Sequence, residues 1–268
     1  MEITFLGIGS NSFGAALSTT SFCIGDGESR VLIDCGPDTP RQLGRFGIRL
    51  IDIDTVILTH RHLDHCLGLP YFLFGRNLDA LALTRSDPKQ IPNPLKIISE
   101  GDVWEGIKSL FALCHPDVPK LAYEVEHVDI GPGPDPIAVN ASLNVISVAM
   151  DHAVPAYGLV FRREDRNVVA YSTDTLPTEK FIEVSKNADV LIHEAMVPAG
   201  DQAFSRSAKH STTSDAGEVV RAIDPGKAFL VHLRPVYLAN RSDMEQEASE
   251  SAGIPCRYPD EGETFKLS

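Results

Sequence analysis

The sequence has no CxxC pair, no apolar run near the roughly 20 residues that cross a bilayer, and no basic leader before a long apolar stretch. These absences argue against a membrane span and a secretory signal and point to the cytoplasm. Cysteine is scarce: Cys23, Cys35, Cys66, Cys114 and Cys256 are the five, with no paired spacing. An odd, scattered set excludes a disulfide framework and reads as reduced thiols. Basic residues are also few, with 24 Lys and Arg against 37 Asp and Glu and a net charge of −13. A protein that grips nucleic acid needs a basic patch to displace counterions from phosphates. The charge balance therefore argues against nucleic acid as a partner and favours a small-molecule substrate. No repeat at a fixed period and no linker divides the chain, so residues 1–268 are expected to form one domain.

What is present fits a soluble globular enzyme, with 43% apolar and 23% charged residues. "EITFLGIG", "TSFCIG" and "RVLIDCG" read as strands joined by glycine-rich turns, and "PDTPRQLGRFGI" as a helix. "DTVILT" is a buried strand, and "DHCLGLPYFLFG" opens a helix. "PLKIIS" and "DVWEGIKSLFALC" give a strand and an amphipathic helix, and "IGPGPDP" (130–136) is the clearest loop. Strands "ASLNVISVAM", "YGLVFRRE" and "VVAYSTD" follow. The remainder cycles helix and strand through "TEKFIEVSKNA", "DVLIHEA", "SDAGEVVRAI", "KAFLVH", "SDMEQEASES" and "ETFKL". Strand-rich stretches in each half, with helices interspersed, predict an α/β fold of two sheets packed face to face with helices outside.

Three of the nine histidines crowd into "ILTHRHLDHCLGLP". His60 and His62, two apart on extended backbone, turn to the same side, and Asp64 and His65 reach a second point. Imidazole and carboxylate suit zinc, manganese or iron. Three later apolar strands also end in ligand-type residues: "NVISVAMDH" in His152, "VVAYSTD" in Asp174 and "AFLVH" in His232. Strand ends converge readily on one site. The seven residues make a dinuclear set in which Asp174 is suited to bridge, one oxygen to each metal. His115 and His127 match no motif and read as surface or loop histidines, and Arg61 and Arg234 flank ligands, where each reads equally as a contact for an anionic substrate or as a solvated or carboxylate-paired arginine.

THRHLDH resembles the HxHxDH signature of the metallo-β-lactamase superfamily, and His152, Asp174 and His232 fall where its later motifs lie. The resemblance implies an αββα four-layer sandwich with two divalent metals, zinc or alternatively manganese or iron. It further implies His60, His62 and His152 on the first metal, Asp64, His65 and His232 on the second, Asp174 between them, and a shared hydroxide as nucleophile. Further segments resemble the ribonuclease Z branch. These are "DCGPDTPRQL", "HLDHCLGLP", "HAVPAYG", "LIHEAM", "HSTTSDAGEVV" and "VHLRPVY". Carried over, His210 is the HST histidine that assists proton transfer or phosphate contact. With Asp64 it is expected at the chemistry itself, while His193, Glu194 and Asp34 support the ligands. That branch commonly dimerises.

The departures matter too. The branch's long tRNA-clasping arm lies between the third motif and the bridging Asp, yet His152 and Asp174 are 22 positions apart and "RREDRN" reads as a hairpin turn. The THxSxRY arginine aligns with Val236, while Arg234 stands two positions earlier. No cysteine lies between Cys114 and Cys256, against the class B β-lactamases. The expectation is a metal-dependent hydrolase of small phosphodiesters or related esters. Arylsulfatase-like or lactone-opening activity, tRNA 3′ processing and a non-catalytic metal-bound sensor are the alternatives.

Overall fold

The structure is a computed structural model, and it describes residues 1–11, 17–27, 29–133 and 135–267. Gly14, in the stretch "LGIGSNSFG" that the sequence predicts to be a strand-ending turn, and Pro134 of the 130–136 loop lie outside the described residues. The chain opens with strands β1 (Glu2–Gly7), β2 (Ser21–Gly25) and β3 (Arg30–Ile33), then helix α1 (Thr39–Arg45) and strand β4 (Thr55–Ile57). Helices α2 (Leu63–Cys66) and α3 (Leu69–Ser86) lead to β5 (Leu95–Ser99), α4 (Gly101–Cys114) and β6 (Val125–Asp129). Strands β7 (Ile137–Ala138), β8 (Asn144–Ala149), β9 (Tyr157–Arg163) and β10 (Arg166–Tyr171) precede α5 (Glu179–Val184) and β11 (Val190–Glu194). Helices α6 (Gln202–Ala208) and α7 (Thr213–Ile223), strand β12 (Lys227–Val231), helix α8 (Arg241–Ala252) and strands β13 (Cys256–Arg257) and β14 (Thr264–Lys266) complete it.

These elements form two compact units. The first holds Met1–Gly7, Ser21–Ile130 and Gly262–Ser268; the second holds Ile8–Thr20 and Gly131–Glu261.

The first unit carries a seven-stranded sheet in the order β14-β1-β2-β3-β4-β5-β6. β3 to β6 run parallel, so each join needs a crossover, and α1, α2 with α3, and α4 supply them. Val103, Trp104, Ile107 and Phe111 recur at helical spacing on α4 and bury against Leu95 and Ile97. Burying each such side chain contributes about 1.5–3 kcal/mol. Backbone bonds fix the loop that carries His60, His62, Asp64 and His65: Cys35 N–H donates to His65 O (2.7 Å) and Gly68 N–H to Cys35 O (2.8 Å). Only glycine permits that approach, since a Cβ on residue 68 would collide with the Gly36 carbonyl oxygen.

The second unit carries the order β13-β12-β11-β10-β9-β8-β7, parallel from β10 to β13. Helix α7 starts at a capping box in which Thr212 and Asp215 satisfy each other's backbone N–H groups. Its Ala216, Val219, Val220 and Ile223 are buried. The β9–β10 hairpin turns through Glu164 and Asp165 alone, with Arg163 paired to Arg166, as the sequence predicts. No arm projects from it.

Some boundaries differ from expectation. β8 starts at Asn144, not Ala141, because the Asn140 side chain accepts from Ser142 N–H (2.9 Å) and Leu143 N–H (2.8 Å), closing a turn. Strand β6 and helix α6 escape the sequence reading, being short and largely polar. His115 stacks on Phe74 with centroids 4.0 Å apart, and His127 stacks on Trp104 at 5.8 Å. All five cysteines are free, and only Cys114 is exposed. Burial pushes the Cys23 thiol up to about 12 and those of Cys66 and Cys256 to about 11. Iodoacetamide at pH 8 is therefore expected to add one carbamidomethyl group to the native chain, on Cys114, and five after denaturation, read by intact mass.

Candidate metal centre

In the first unit the donors follow the C-terminal end of β4. Asp34, fully buried, is the hub. Its carboxylate accepts from Thr59 N–H (2.8 Å), Thr59 O–H (3.0 Å) and His65 Nδ1–H (2.8 Å). Because the Thr59 hydroxyl spends its proton on Asp34, its oxygen accepts from His60 Nδ1–H at 3.1 Å. Both imidazoles are thereby fixed in the tautomer that leaves Nε2 as a lone pair. His60 Nε2 lies 3.1 Å from His62 Nδ1, and His65 Nε2 lies 3.6 Å from Asp64 Oδ2. The sequence-predicted set His60, His62, Asp64 and His65 is thus brought together, with Asp34 supporting it directly and through Thr59.

In the second unit the donors stand after β8, β10 and β12. His152 Nδ1–H donates to Lys209 O (3.0 Å), so its Nε2 lone pair faces Asp174 Oδ2 at 3.9 Å. His232 Nε2 faces the same oxygen at 3.3 Å. The loops are cross-tied: Leu176 N–H donates to Asp151 O (3.0 Å), Asp151 N–H to Thr175 Oγ1 (3.1 Å), and His232 N–H to Thr20 Oγ1 (3.1 Å). Four residues of the two donor sets or beside them hold left-handed backbone: Asp34 (φ 57°), Thr173 (φ 53°), Lys209 (φ 57°) and His232 (φ 63°). Each such conformation costs about 1–3 kcal/mol and persists only where its surroundings fix it, a pattern of functional sites.

Glu194, His210 and His232 offer donor atoms within 4.8 Å of one another. His210 Nδ1 lies 3.2 Å from both Glu194 oxygens, and Thr175 N–H also donates to this carboxylate. Burial raises the Glu194 carboxyl, against the opposing pull of His210. His193 is one residue from Glu194 but on the opposite face of β11, as strand alternation requires. Its Nδ1–H donates to the Glu194 carbonyl (2.6 Å) and its ring packs with Phe181. It reaches none of the candidate ligands by any of these contacts. Arg61 pairs with Glu100 (3.0 Å), whereas Arg234 lies over the Phe204 ring at 4.7 Å. The contributions of Thr59 and of the Lys209 carbonyl carry no sequence signal.

His193 gives a pH prediction. Burial lowers it from 6.5 to about 4, so it is neutral in the native state. The unfolded chain takes up this proton below about pH 6.5 and the native chain does not until about pH 4. Its contribution to stability is complete above pH 6.5 and is lost as pH falls. At pH 5 the loss from this one group is about 2 kcal/mol. Urea midpoints of wild type and His193→Leu at pH 7.5 and pH 5 should show the variant less acid-sensitive.

The donor chemistry fits metal ions. Imidazole lone pairs set against carboxylate oxygens at 3.3–3.9 Å need a cation or proton between them. A His/Asp donor set in which the outer nitrogens of His60, His65 and His152 are tied to acceptors is an arrangement that zinc, manganese and iron take.

Residues 29–233 match the family model described as the β-lactamase superfamily domain. The chain belongs to the metallo-β-lactamase superfamily. This superfamily member is 26% identical to ribonuclease Z of Natronomonas pharaonis, over 100% of this chain and 98% of the relative. It is 29% identical to ribonuclease Z of Bacillus licheniformis, over 88% and 89%. The first alignment runs over 304 residues against the 268 here, so that relative carries residues this chain lacks. Among solved structures, the metallo-β-lactamase fold protein YhfI from Bacillus subtilis matches with a TM-score of 0.80 at 20% identity, covering 98% of both chains. Human tRNase Z, short form, gives 0.80 at 17% over the whole of both. A diphosphatase of the PhnP family gives 0.73 at 19%, over 100% and 98%. The expected fold class and the likeness to ribonuclease Z are borne out, and the chain is a superfamily hydrolase of the metal-dependent kind. The relatives' name weighs against the expectation, drawn from charge, that nucleic acid is not a substrate. Among the described residues no helix is long and apolar enough to cross a membrane.

Proposed function

We propose that the chain, working as a single hydrolase domain in the cytoplasm, cleaves small phosphodiesters or related esters with two divalent metal ions, zinc foremost. The observation that carries this is the tautomer control: outer nitrogens of His60, His65 and His152 are each tied to an acceptor, leaving Nε2 for a cation. In this reading His60, His62 and His152 would hold one ion and Asp64, His65 and His232 the other, with Asp174 serving both. When bound, such ions lower the pKa of water towards about 7 and polarise the bond under attack. His210, held at Nδ1 by Glu194, keeps Nε2 to hand a proton to the leaving oxygen. The two-residue β9–β10 turn and the net charge of −13 support a small substrate.

RNA cleavage is the second reading, favoured by the relatives named ribonuclease Z. The test compares zinc-loaded protein on bis(p-nitrophenyl) phosphate, an aryl sulfate, a lactone and a precursor tRNA with a 3′ trailer. The diester is expected to turn over fastest. Faster trailer cleavage at physiological salt would favour RNA. No turnover of any substrate would leave a metal-bound sensor.

A further inference from the structure

The two arginines that flank the candidate ligands in sequence have different fates. Arg61 is half-exposed and spent on Glu100 at 3.0 Å. Arg234 is half-buried, with its guanidinium 4.7 Å from the Phe204 ring centroid, and its side chain makes no hydrogen bond or ion pair among the described residues. Asp201, at the start of α6, accepts instead from the Tyr237 hydroxyl. A guanidinium laid on a ring is held in one orientation while its N–H fork stays available.

Backbone bonds fix where the Arg234 main chain stands, and the Phe204 ring holds its guanidinium. Arg234 N–H donates to Met196 O (3.1 Å), and Met196 N–H donates to Ser211 O (3.0 Å). Neighbouring hydrogen-bonded segments lie about 4.8 Å apart, so Arg234 is about 10 Å from Ser211, two rungs away. Phe204 is tied to the same place, because Ser205 Oγ donates to His210 O (2.5 Å) and His210 N–H returns to Ser205 O (3.0 Å). Arg234 also follows His232 by two residues. The backbone that carries the stacked pair is therefore tied to the segments that carry His210 and His232 within the second unit. Phe204 is 39% exposed and Val236, two residues on from Arg234, is 68% exposed, so this stretch presents apolar side chains to solvent next to the cation's ring platform.

We propose that Arg234, laid on Phe204, is the anion-recognition residue of this site. It selects substrates whose scissile group carries a formal negative charge, such as phosphodiesters, over neutral esters and lactones. The inference rests on the hydrolase reading above. A bidentate guanidinium contact to an anionic oxygen, formed alike in ground and transition states, acts on KM more than on kcat.

Two measurements test it. First, Arg234→Ala on zinc-loaded protein should raise KM for bis(p-nitrophenyl) phosphate about 10- to 100-fold with kcat within about threefold. The ratio of kcat/KM on the diester to that on p-nitrophenyl acetate should fall in step. Arg234→Lys should restore part of the loss, and Phe204→Ala, which removes the platform, should give an intermediate KM. Second, the ¹⁵N-arginine Nε–H signal missing from the Arg234→Lys spectrum should shift in wild type as the diester is added. This readout needs no turnover, so it decides the role of Arg234 even where wild type proves inactive on diesters and the hydrolase reading falls. An unmoved signal, or an unchanged diester KM in Arg234→Ala of normal zinc content and circular dichroism, overturns the proposal.

Discussion

Asp174→Ala is expected to lower diester hydrolysis roughly 10²- to 10³-fold, the several kcal/mol of charge stabilisation that a metal pair supplies. Asp174 is 2% exposed, and its Oδ2 faces both His152 Nε2 (3.9 Å) and His232 Nε2 (3.3 Å). Thr173, next to it, holds left-handed backbone at φ 53°. Removing the carboxylate takes away the anion that both imidazoles face. Asp174→Asn keeps the shape and removes the charge, so it should lose nearly as much rate with little change in stability. Steady-state rates and zinc content of the two variants check this. Retained wild-type rate in either would remove Asp174 from the reaction.

Asp34→Ala is expected to cost about 3–5 kcal/mol of stability and about 10- to 100-fold in metal affinity. Three buried donors lose their acceptor at once: Thr59 N–H, Thr59 O–H and His65 Nδ1–H. His65 loses the bond that selects its tautomer directly, and His60 loses it through the freed Thr59 hydroxyl. One substitution should therefore disturb two proposed ligands that it does not touch through the metal. Asp34→Asn leaves an amide in place of the second carboxylate oxygen and should fall between wild type and alanine. Urea unfolding and competitive zinc titration measure the two effects separately. Unchanged zinc affinity with lowered stability would reduce Asp34 to a folding role.

How much of this was legible in the sequence depends on where the chemistry resides. The cluster at His60, His62, Asp64 and His65 lies on one short loop after a buried strand, so spacing alone brings it together. His152, Asp174 and His232 could be read because apolar strands end at or just before each of them, and strand ends converge. Thr59 and the Lys209 carbonyl were not legible: a hydroxyl relay and a backbone acceptor exist only once tertiary structure sets the partners 3.0–3.1 Å apart. His193 and Glu194 were expected to support the ligands through the resemblance of "LIHEAM" to the ribonuclease Z branch; the two-residue period of β11 puts them on opposite faces. The difference between Arg61 and Arg234 turns on Glu100 and Phe204, each remote in sequence from the arginine it meets. Strand β6 and helix α6 were missed because edge and connecting elements carry little apolar pattern.

Charge composition and kinship pull in different directions over the substrate. A net charge of −13 weakens long-range attraction for RNA, yet a local cation such as Arg234 needs no favourable total. Salt dependence of KM separates the cases, since a long polyanion contacted at many phosphates shows a steep slope and a small diester a shallow one.

The most direct test is metal removal and return. Protein stripped with a chelator, then titrated with zinc, manganese or iron(II), should regain diester hydrolysis in proportion to bound metal, saturating at two ions per chain, with Asp174→Ala binding less. A metal-free chain that turns over the diester at the fully loaded rate would contradict the assignment.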